Sequence, residues 1–502
     1  MVTPLLWIGL RAAAVDPSRA AAILFRSRSL EIAANSLLLM AGVTVLSVII
    51  GVPLAWLTVR SDLPFARFWT VVVALPLAIP SYLGALAYID AFGPRGRLQS
   101  LLAPLGVDSL PEIYGLGGAI LVITLYTYPY VYLTTRAALK TFDKTLVDAA
   151  RTLEHDYRET FRRVTFPQIR PAITAGALLV ALYAISDFGT PAFMRLDVFT
   201  RQIYVEYRGW NLDYAAMLSI QLIAVTVFIL ALESRIRGDE RVYTDSGGGS
   251  GGNHVVELGR WRWPATGLCL LVALATLALP VVVFASWLVG GATSDVDAYR
   301  FQFEYAVNSA GVSTAAAVLA ALAALPVAYL AARYRTLLGH LFERATYVGY
   351  AVPGIVIGLA LVFFGANYAG VVYQALPLLV FAYVVRFMPQ AVGSTRTSIL
   401  QVDPKLTEAA RTLGRGDLET FRSVTLPLIA PGIVAGAALV FLTTMKELPA
   451  TLLLRPTGFD TLVTHIWRAE QAAYMSHAAV PAFVILLVSG LSMWIILRQE
   501  DV

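Results

Sequence analysis

One cysteine, Cys269, stands in 502 residues, and it lies inside an apolar run. A single thiol excludes a disulfide framework and a cysteine-based metal site within the chain. Charge is scarce as well: Asp, Glu, Lys and Arg make up 14% of the residues, against about 25% in a soluble globular domain. The five histidines, His155, His254, His340, His465 and His477, are scattered, so no metal-ligand cluster is expected. No G-x-x-x-x-G-K-S/T phosphate loop occurs; "GLGGAILV" at 115–122 has glycines but no lysine. No nucleophile–base pattern of a hydrolase is present either. The opening "TPLLWIGL", followed by Arg11, shows no signal-peptide cleavage site.

Apolar residues are abundant: 58% of the chain is hydrophobic and the mean hydropathy is +0.68. Several apolar runs reach the roughly 18–20 residues that cross a bilayer as a helix. The expectation is an all-α polytopic membrane protein. Spans are read at about 36–59, 68–92, 116–138, 171–190, 213–234, 264–289, 310–332, 346–366, 370–393, 431–453 and 477–497. The net charge of +5 is spread over short loops, as membrane topology requires, and does not indicate a nucleic-acid partner.

The stretch "RGDERVYTDSGGGSGGNHVVELGR" interrupts the spans near the middle and reads as a flexible linker. It divides the chain into a first half, 1–236, a linker, 237–262, and a second half, 263–502. The halves repeat. An offset of 260 lays "DAARTLEHDYRETFRRVTFPQIRPA" on "EAARTLGRGDLETFRSVTLPLIAPG", and it also pairs Arg195 with Arg455, Phe199 with Phe459, Arg208 with Arg468 and Tyr214 with Tyr474. Upstream the offset is 273, pairing Asn35-Ser36 with Asn308-Ser309, Pro53 with Pro326 and Pro80 with Pro353. The second half opens with a full span containing Pro280. Its counterpart is only the short "MVTPLLWIGLRAA", so about 6 + 6 helices are expected with the first one shortened.

The duplicated stretch is polar in an oily chain. Leu406, Ala409, Ala410 and Leu413 fall on one helical stripe, as do Leu146, Ala149, Ala150 and Leu153. Asp403-Pro404 is a helix-start signal and Gly414 a stop. Lys140, Lys144, Arg151, Arg158, Arg162 and Arg163 around the first copy, and Lys405, Arg411, Arg415 and Arg422 around the second, place both on the cytoplasmic side. Halves that face the same way form a parallel repeat.

Glu408-Ala409-Ala410, then Gly414, then Val424-Thr425-Leu426-Pro427, resembles the EAA motif of permease subunits of ATP-binding-cassette importers. The first copy departs from that pattern, with Asp148 for Glu, Glu154 for Gly and Phe166 for Leu around Ala149-Ala150. The resemblance implies two tandem type-I importer-like permease halves in the cell membrane. Each loop would then be a coupling helix docking on a cytoplasmic ATPase subunit. It further implies two such subunits, which bind ATP and Mg in place of any cofactor in this chain, and an extracytoplasmic binding protein docking near 190–212 and 453–476. The likeness is strongest to fused ferric iron permeases, at "ISDFGTPAFMRLDVFTRQIY" and "MKELPATLLLRPTGFDTLVTHIW". Similar fused permeases serve thiamine, phosphonates or polyamines. A secondary transporter driven by an ion gradient is the rival of a different class, because it too can be a parallel duplicate.

Four residues are candidates for the path. Asp187 and Glu447 are paired by the repeat near the outer ends of spans, where a carboxylate faces a cavity or a partner. Tyr126, in "LYTYPYVYLTTR", pairs with Arg386, which inside an apolar run requires a carboxylate or carbonyl partner.

Overall fold

The computed structural model describes residues 3–94, 96–107, 111–141, 159, 161–239, 256–289, 300–333, 346, 349 and 352–500. Helices dominate them. In the first repeat these are α1 (Thr3–Ala13), α2 (Ser27–Arg60), α3 (Ser81–Phe92), α4 (Gly115–Thr141), α5 (Phe166–Ser186), α6 (Phe199–Arg208) and α7 (Leu212–Asp239). The second holds α8 (Arg262–Ala273), α9 (Leu279–Val289), α10 (Phe303–Arg333), α11 (Gly354–Tyr368), α12 (Leu376–Gln401), α13 (Pro404–Thr412), α14 (Leu426–Met445), α15 (Leu462–Gln471) and α16 (Ala479–Glu500). No strand occurs among the described residues; an isolated bridge joins Ser61 and Val256.

Among the described residues eight helices are long and apolar enough to cross a bilayer, and Ala66–Ala78 with Ser81–Ser100 form an apolar pair bent by 94° at the break between them. Gly354–Tyr368 and Met475–Leu491 are shorter apolar helices at two further expected spans. The break in the first repeat falls at Ile79-Pro80, and α11 starts directly after Pro353. Both prolines are extended, with ψ of 133° and 141°. Proline has no N–H to offer the preceding turn and keeps its neighbour out of the helical region. A helix therefore begins after each proline, which is why the expected span 68–92 is interrupted; most of the residues of the expected span 346–366 that precede Pro353 lie outside the described residues.

The described contacts form two compact units. One comprises Met1–Ile23, Ile203–Ile220 and Ala292–Ile485; the other comprises Leu24–Gln202, Gln221–Gly291 and Leu486–Val502. Each holds the long packed helices of one repeat and the opening helix of the other. In the first unit α10, α12 and α14 pack together; in the second, α2, α4 and α5 do so. Glycine permits the closest approaches. A Cβ on Gly176 of α5 would lie 2.7 Å from Val131 Cα of α4, and one on Gly436 of α14 would lie 2.9 Å from Ala391 Cα of α12. Leu37, Leu38, Val45 and Ile49 of α2 and Leu322 of α10 are exposed, as expected of side chains facing lipid.

The opening helices are held by specific contacts. In the first unit Trp7 of α1 packs on Phe364 and Tyr368 of α11, with ring centroids 5.1 and 4.6 Å apart. In the second unit α8 and α9 are joined by a π turn, Leu274–Ala278. The Leu279 N–H bonds the Leu274 carbonyl, which leaves that of Ala275 free, and Pro280 has no N–H for that of Thr276. Tyr88 Oη donates to the Ala275 carbonyl at 3.1 Å and Tyr126 Oη to the Thr276 carbonyl at 3.3 Å. Both orphan acceptors are thus satisfied by tyrosine hydroxyls.

The end of the linker is also fixed in this unit. The Val256 N–H donates to the Arg60 carbonyl at 2.8 Å, and Asp62 accepts from the Leu258 N–H and from the Arg262 guanidinium, each at 2.8 Å. Asp62 lies outside the spans. The Arg262 hydrogen bond and then the Leu258 N–H hold its carboxyl below the usual carboxylate range.

Candidate coupling and translocation site

The second copy of the duplicated polar stretch begins where α12 ends at Gln401. Val402 is extended, and the Asp403 carboxylate accepts from the Lys405 N–H at 2.9 Å, capping α13 with Pro404 at its first position. The helix ends in a Schellman turn. Gly414 takes the left-handed conformation (φ 86°), its N–H bonds the Arg411 carbonyl at 2.9 Å, and the Arg415 N–H bonds the Ala410 carbonyl at 3.2 Å. Only glycine adopts that φ without a Cβ penalty.

Of the stripe Leu406, Ala409, Ala410 and Leu413, only Ala410 is buried. Leu406 is 49% exposed, Leu413 84%, and Leu418 beyond the turn 63%. Glu408 beside them is exposed. Arg411 pairs with Asp417 at 2.9 Å and Arg415 with Glu419 at 3.8 Å. The loop is therefore ordered by its own caps and ion pairs and presents three leucines outward. An amphipathic helix with its apolar side uncovered is a surface shaped for another body. Asp148, Ala149, Ala150 and Glu154 of the first copy lie outside the described residues.

The path candidates fall into two local arrangements, one in each unit. In the first, Arg386 Nη1 donates to Glu447 Oε1 at 3.0 Å, and the Ala450 N–H donates to the same oxygen at 3.2 Å. Two residues singled out on separate grounds thus form one ion pair. Its side chains are 16% and 6% exposed. Gly354 opens α11 beside them, and a Cβ there would overlap both Arg386 Nη1 and Glu447 Oε1. Tyr383 Oη and Thr451 Oγ1 are 2.7 Å apart, and Thr451 Oγ1 donates to the Glu447 carbonyl.

In the second unit Ser81 stands where the repeat places Gly354. Its hydroxyl donates to Asp187 Oδ2 at 3.1 Å and accepts from Tyr183 Oη at 3.1 Å, while Thr200 Oγ1 donates to the Asp187 carbonyl at 2.7 Å. Asp187 has hydroxyl partners where Glu447 has a guanidinium. Tyr126 takes no part in that cluster: it is buried over Gly84, with its hydroxyl on Thr276. Among the described residues no group of three or more His, Cys, Asp or Glu side chains is placed to hold a metal ion.

The sequence reading missed two aspartate clusters at the ends of the spans opposite the coupling loops. Asp197 accepts from Arg28, Arg201 and Gln202, and Asn35 Nδ2 donates to its carbonyl at 3.1 Å. Asp460 accepts from Arg455, Arg468 and Thr464, and Asn308 Nδ2 donates to its carbonyl at 3.0 Å. Ser36 accepts the Phe199 N–H at 2.9 Å and Ser309 the Leu462 N–H at 2.8 Å. These bonds correct the repeat register. Asp197 corresponds to Asp460 and Phe199 to Leu462, an offset three residues larger than the one that paired Phe199 with Phe459. The left-handed residues agree: Arg195 (φ 54°) matches Gly458 (φ 82°), and Trp210 (φ 60°) matches Ala473 (φ 59°). The second repeat has three extra residues after α14, and the paired Asn-Ser dipeptides were the signal that pointed to them.

The family model of the binding-protein-dependent transport system inner membrane component matches residues 23–236 and again 324–500. The Fe(3+)-transport system permease protein FbpB 2 of Haemophilus influenzae is 32% identical over 98% of this chain and 94% of its own length. The ferric transport system permease protein FbpB of Actinobacillus pleuropneumoniae is 23% identical over 96% of this chain and 73% of its own. A probable molybdenum ABC transporter permease protein of Haloferax volcanii is 30% identical over 45% of this chain but 83% of its own length, so it corresponds to a single repeat. With its tandem repeats of apolar helices, the chain belongs to the family of inner membrane components of binding-protein-dependent transport systems, as a multi-pass permease.

Proposed function

We propose that this permease imports ferric iron, driven by two cytoplasmic ATP-binding-cassette subunits and supplied by an extracytoplasmic iron-binding protein. The substrate reading is supported by the names of relatives that align along almost the whole chain. The observation that carries the coupling reading is α13, a capped cytoplasmic helix with Leu406 and Leu413 turned outward. ATP and Mg are then bound by the partner subunits, and closure of those subunits displaces the coupling loops. Glu408, Ala409, Ala410 and Gly414 form one dock; Asp148, Ala149, Ala150 and Glu154 form the other.

In this reading Asp187 is the carboxylate offered to the cation's path, because its partners are neutral hydroxyls. Glu447 is neutralised by Arg386 and accepts the Ala450 N–H, and Tyr126 holds the π turn of the α8–α9 span. Leu413→Asp tests the dock. Loss of a buried leucine and burial of a charge at the interface is expected to reduce ATPase copurification by about 100-fold or more. Copurification at the unchanged level would rule out α13 as the docking helix.

A further inference from the structure

Arg60 is the last residue of α2 and Arg333 the last of α10, and the 273-residue offset pairs them. Each reaches across to a neighbouring helix. Arg60 Nη2 donates to the Leu139 carbonyl at 2.9 Å, and Arg333 Nη2 donates to the Val402 carbonyl at 3.4 Å. Leu139 lies in the last turn of α4, just ahead of the first coupling loop. Val402 lies between the end of α12 and Asp403, the cap of the second coupling helix.

The last carbonyls of a helix have no N–H partner within it and form the negative end of its dipole. A guanidinium is suited to that position in charge and in donor number. Helices commonly supply this from their own last turn. Here the cation comes from a different helix, one packed against the helix it caps: α2 against α4, and α10 against α12. The arrangement occurs twice, once in each unit, near the end of the helix that leads to each polar stretch; the accepting carbonyl lies three residues further along in the second repeat, since Leu139 corresponds to Ile399 and not to Val402. In the first repeat the Arg60 carbonyl also receives the Val256 N–H at the exit of the linker.

We propose that Arg60 and Arg333 are positioning residues of the coupling machinery. Each hooks the root of a coupling loop to the long membrane helix beside it, so that displacement of the loop moves α2 or α10 with it. Without the hook, the turn at Val402-Asp403 absorbs the displacement. This inference rests on the coupling reading given above.

The test uses the permease assembled with its ATPase and binding protein in liposomes, with radiolabelled ferric iron loaded on the binding protein. The readout is iron imported per ATP hydrolysed, at equal amounts of assembled complex. Arg60→Ala and Arg333→Ala are each expected to lower that ratio at least about threefold with the ATPase still bound, and Arg333→Lys, which keeps a charged donor, to recover most of it. A ratio unchanged in both alanine variants overturns the proposal, as does import that falls only in step with the amount of complex. Should Arg333→Ala fail to assemble, Arg333→Gln replaces it under the same criteria. Failure of the unsubstituted complex to import with ATP would instead overturn the coupling reading, so the two failures are distinguishable.

Discussion

Glu447 and Asp187 show how one repeated position acquires two chemistries. The change rests on two neighbours: Gly354 in place of Ser81 leaves room for a guanidinium, and Arg386 in place of Tyr126 supplies it. A buried ion pair that loses one member leaves an uncompensated charge, at a cost of about 3 kcal/mol or more. Arg386→Met and Glu447→Gln are therefore each expected to lower the apparent stability of the purified permease by roughly that amount, and the double variant by much less than their sum. Asp187→Asn, which replaces a carboxylate among hydroxyls, is expected to cost only about 1 kcal/mol. Thermal unfolding in detergent checks all four. Additive losses in the double variant would contradict the pairing. The need of Arg386 for a partner was legible in the sequence, because a guanidinium in an apolar run demands one. Its identity was not, because the partner lies 61 residues on and meets it only through packing.

At the scale of the element, prolines act in different ways, six of them (Pro53, Pro129, Pro171, Pro326, Pro389 and Pro431) lying inside continuous helices. Pro80 and Pro353 start helices, whereas Pro280 leaves a carbonyl free that Tyr126 takes up. Tyr88→Phe with Tyr126→Phe is expected to destabilise the permease by about 2 kcal/mol, one hydrogen bond each. Pro280→Ala restores an N–H to the ladder and is expected to relieve most of the Tyr126→Phe loss; a double-mutant cycle of these two gives the coupling directly. Zero coupling would separate the tyrosine from the proline. Periodicity and length were enough to read most of the spans, Pro280 among them, since apolar runs of that length have one outcome in a bilayer. The π turn was hidden because it depends on which hydroxyls lie opposite. The helix α13 was read correctly in its caps, Asp403 and Gly414, which are local signals. The three-residue insertion after α14 was missed because Arg455 and Phe459 mimic Arg195 and Phe199 in spelling but not in place.

At the scale of the whole molecule, duplication supplies two sets of packed helices and two cytoplasmic loops on one chain. The repeats are alike in their close-packed glycines, Gly176 and Gly436, and in the arginines, Arg60 and Arg333, that donate to a carbonyl at the end of the neighbouring helix. They differ in the carboxylate clusters, where one is closed by an ion pair and the other is held by hydroxyls. The central claim is that this permease moves ferric iron by ATP hydrolysis in a partner. The most direct measurement is uptake of radiolabelled ferric iron into liposomes holding the permease, its ATPase subunits and its binding protein, with ion gradients collapsed by ionophores. The account predicts uptake that requires hydrolysable ATP and persists without a gradient. Uptake that proceeds without ATP and disappears with the gradient would contradict it.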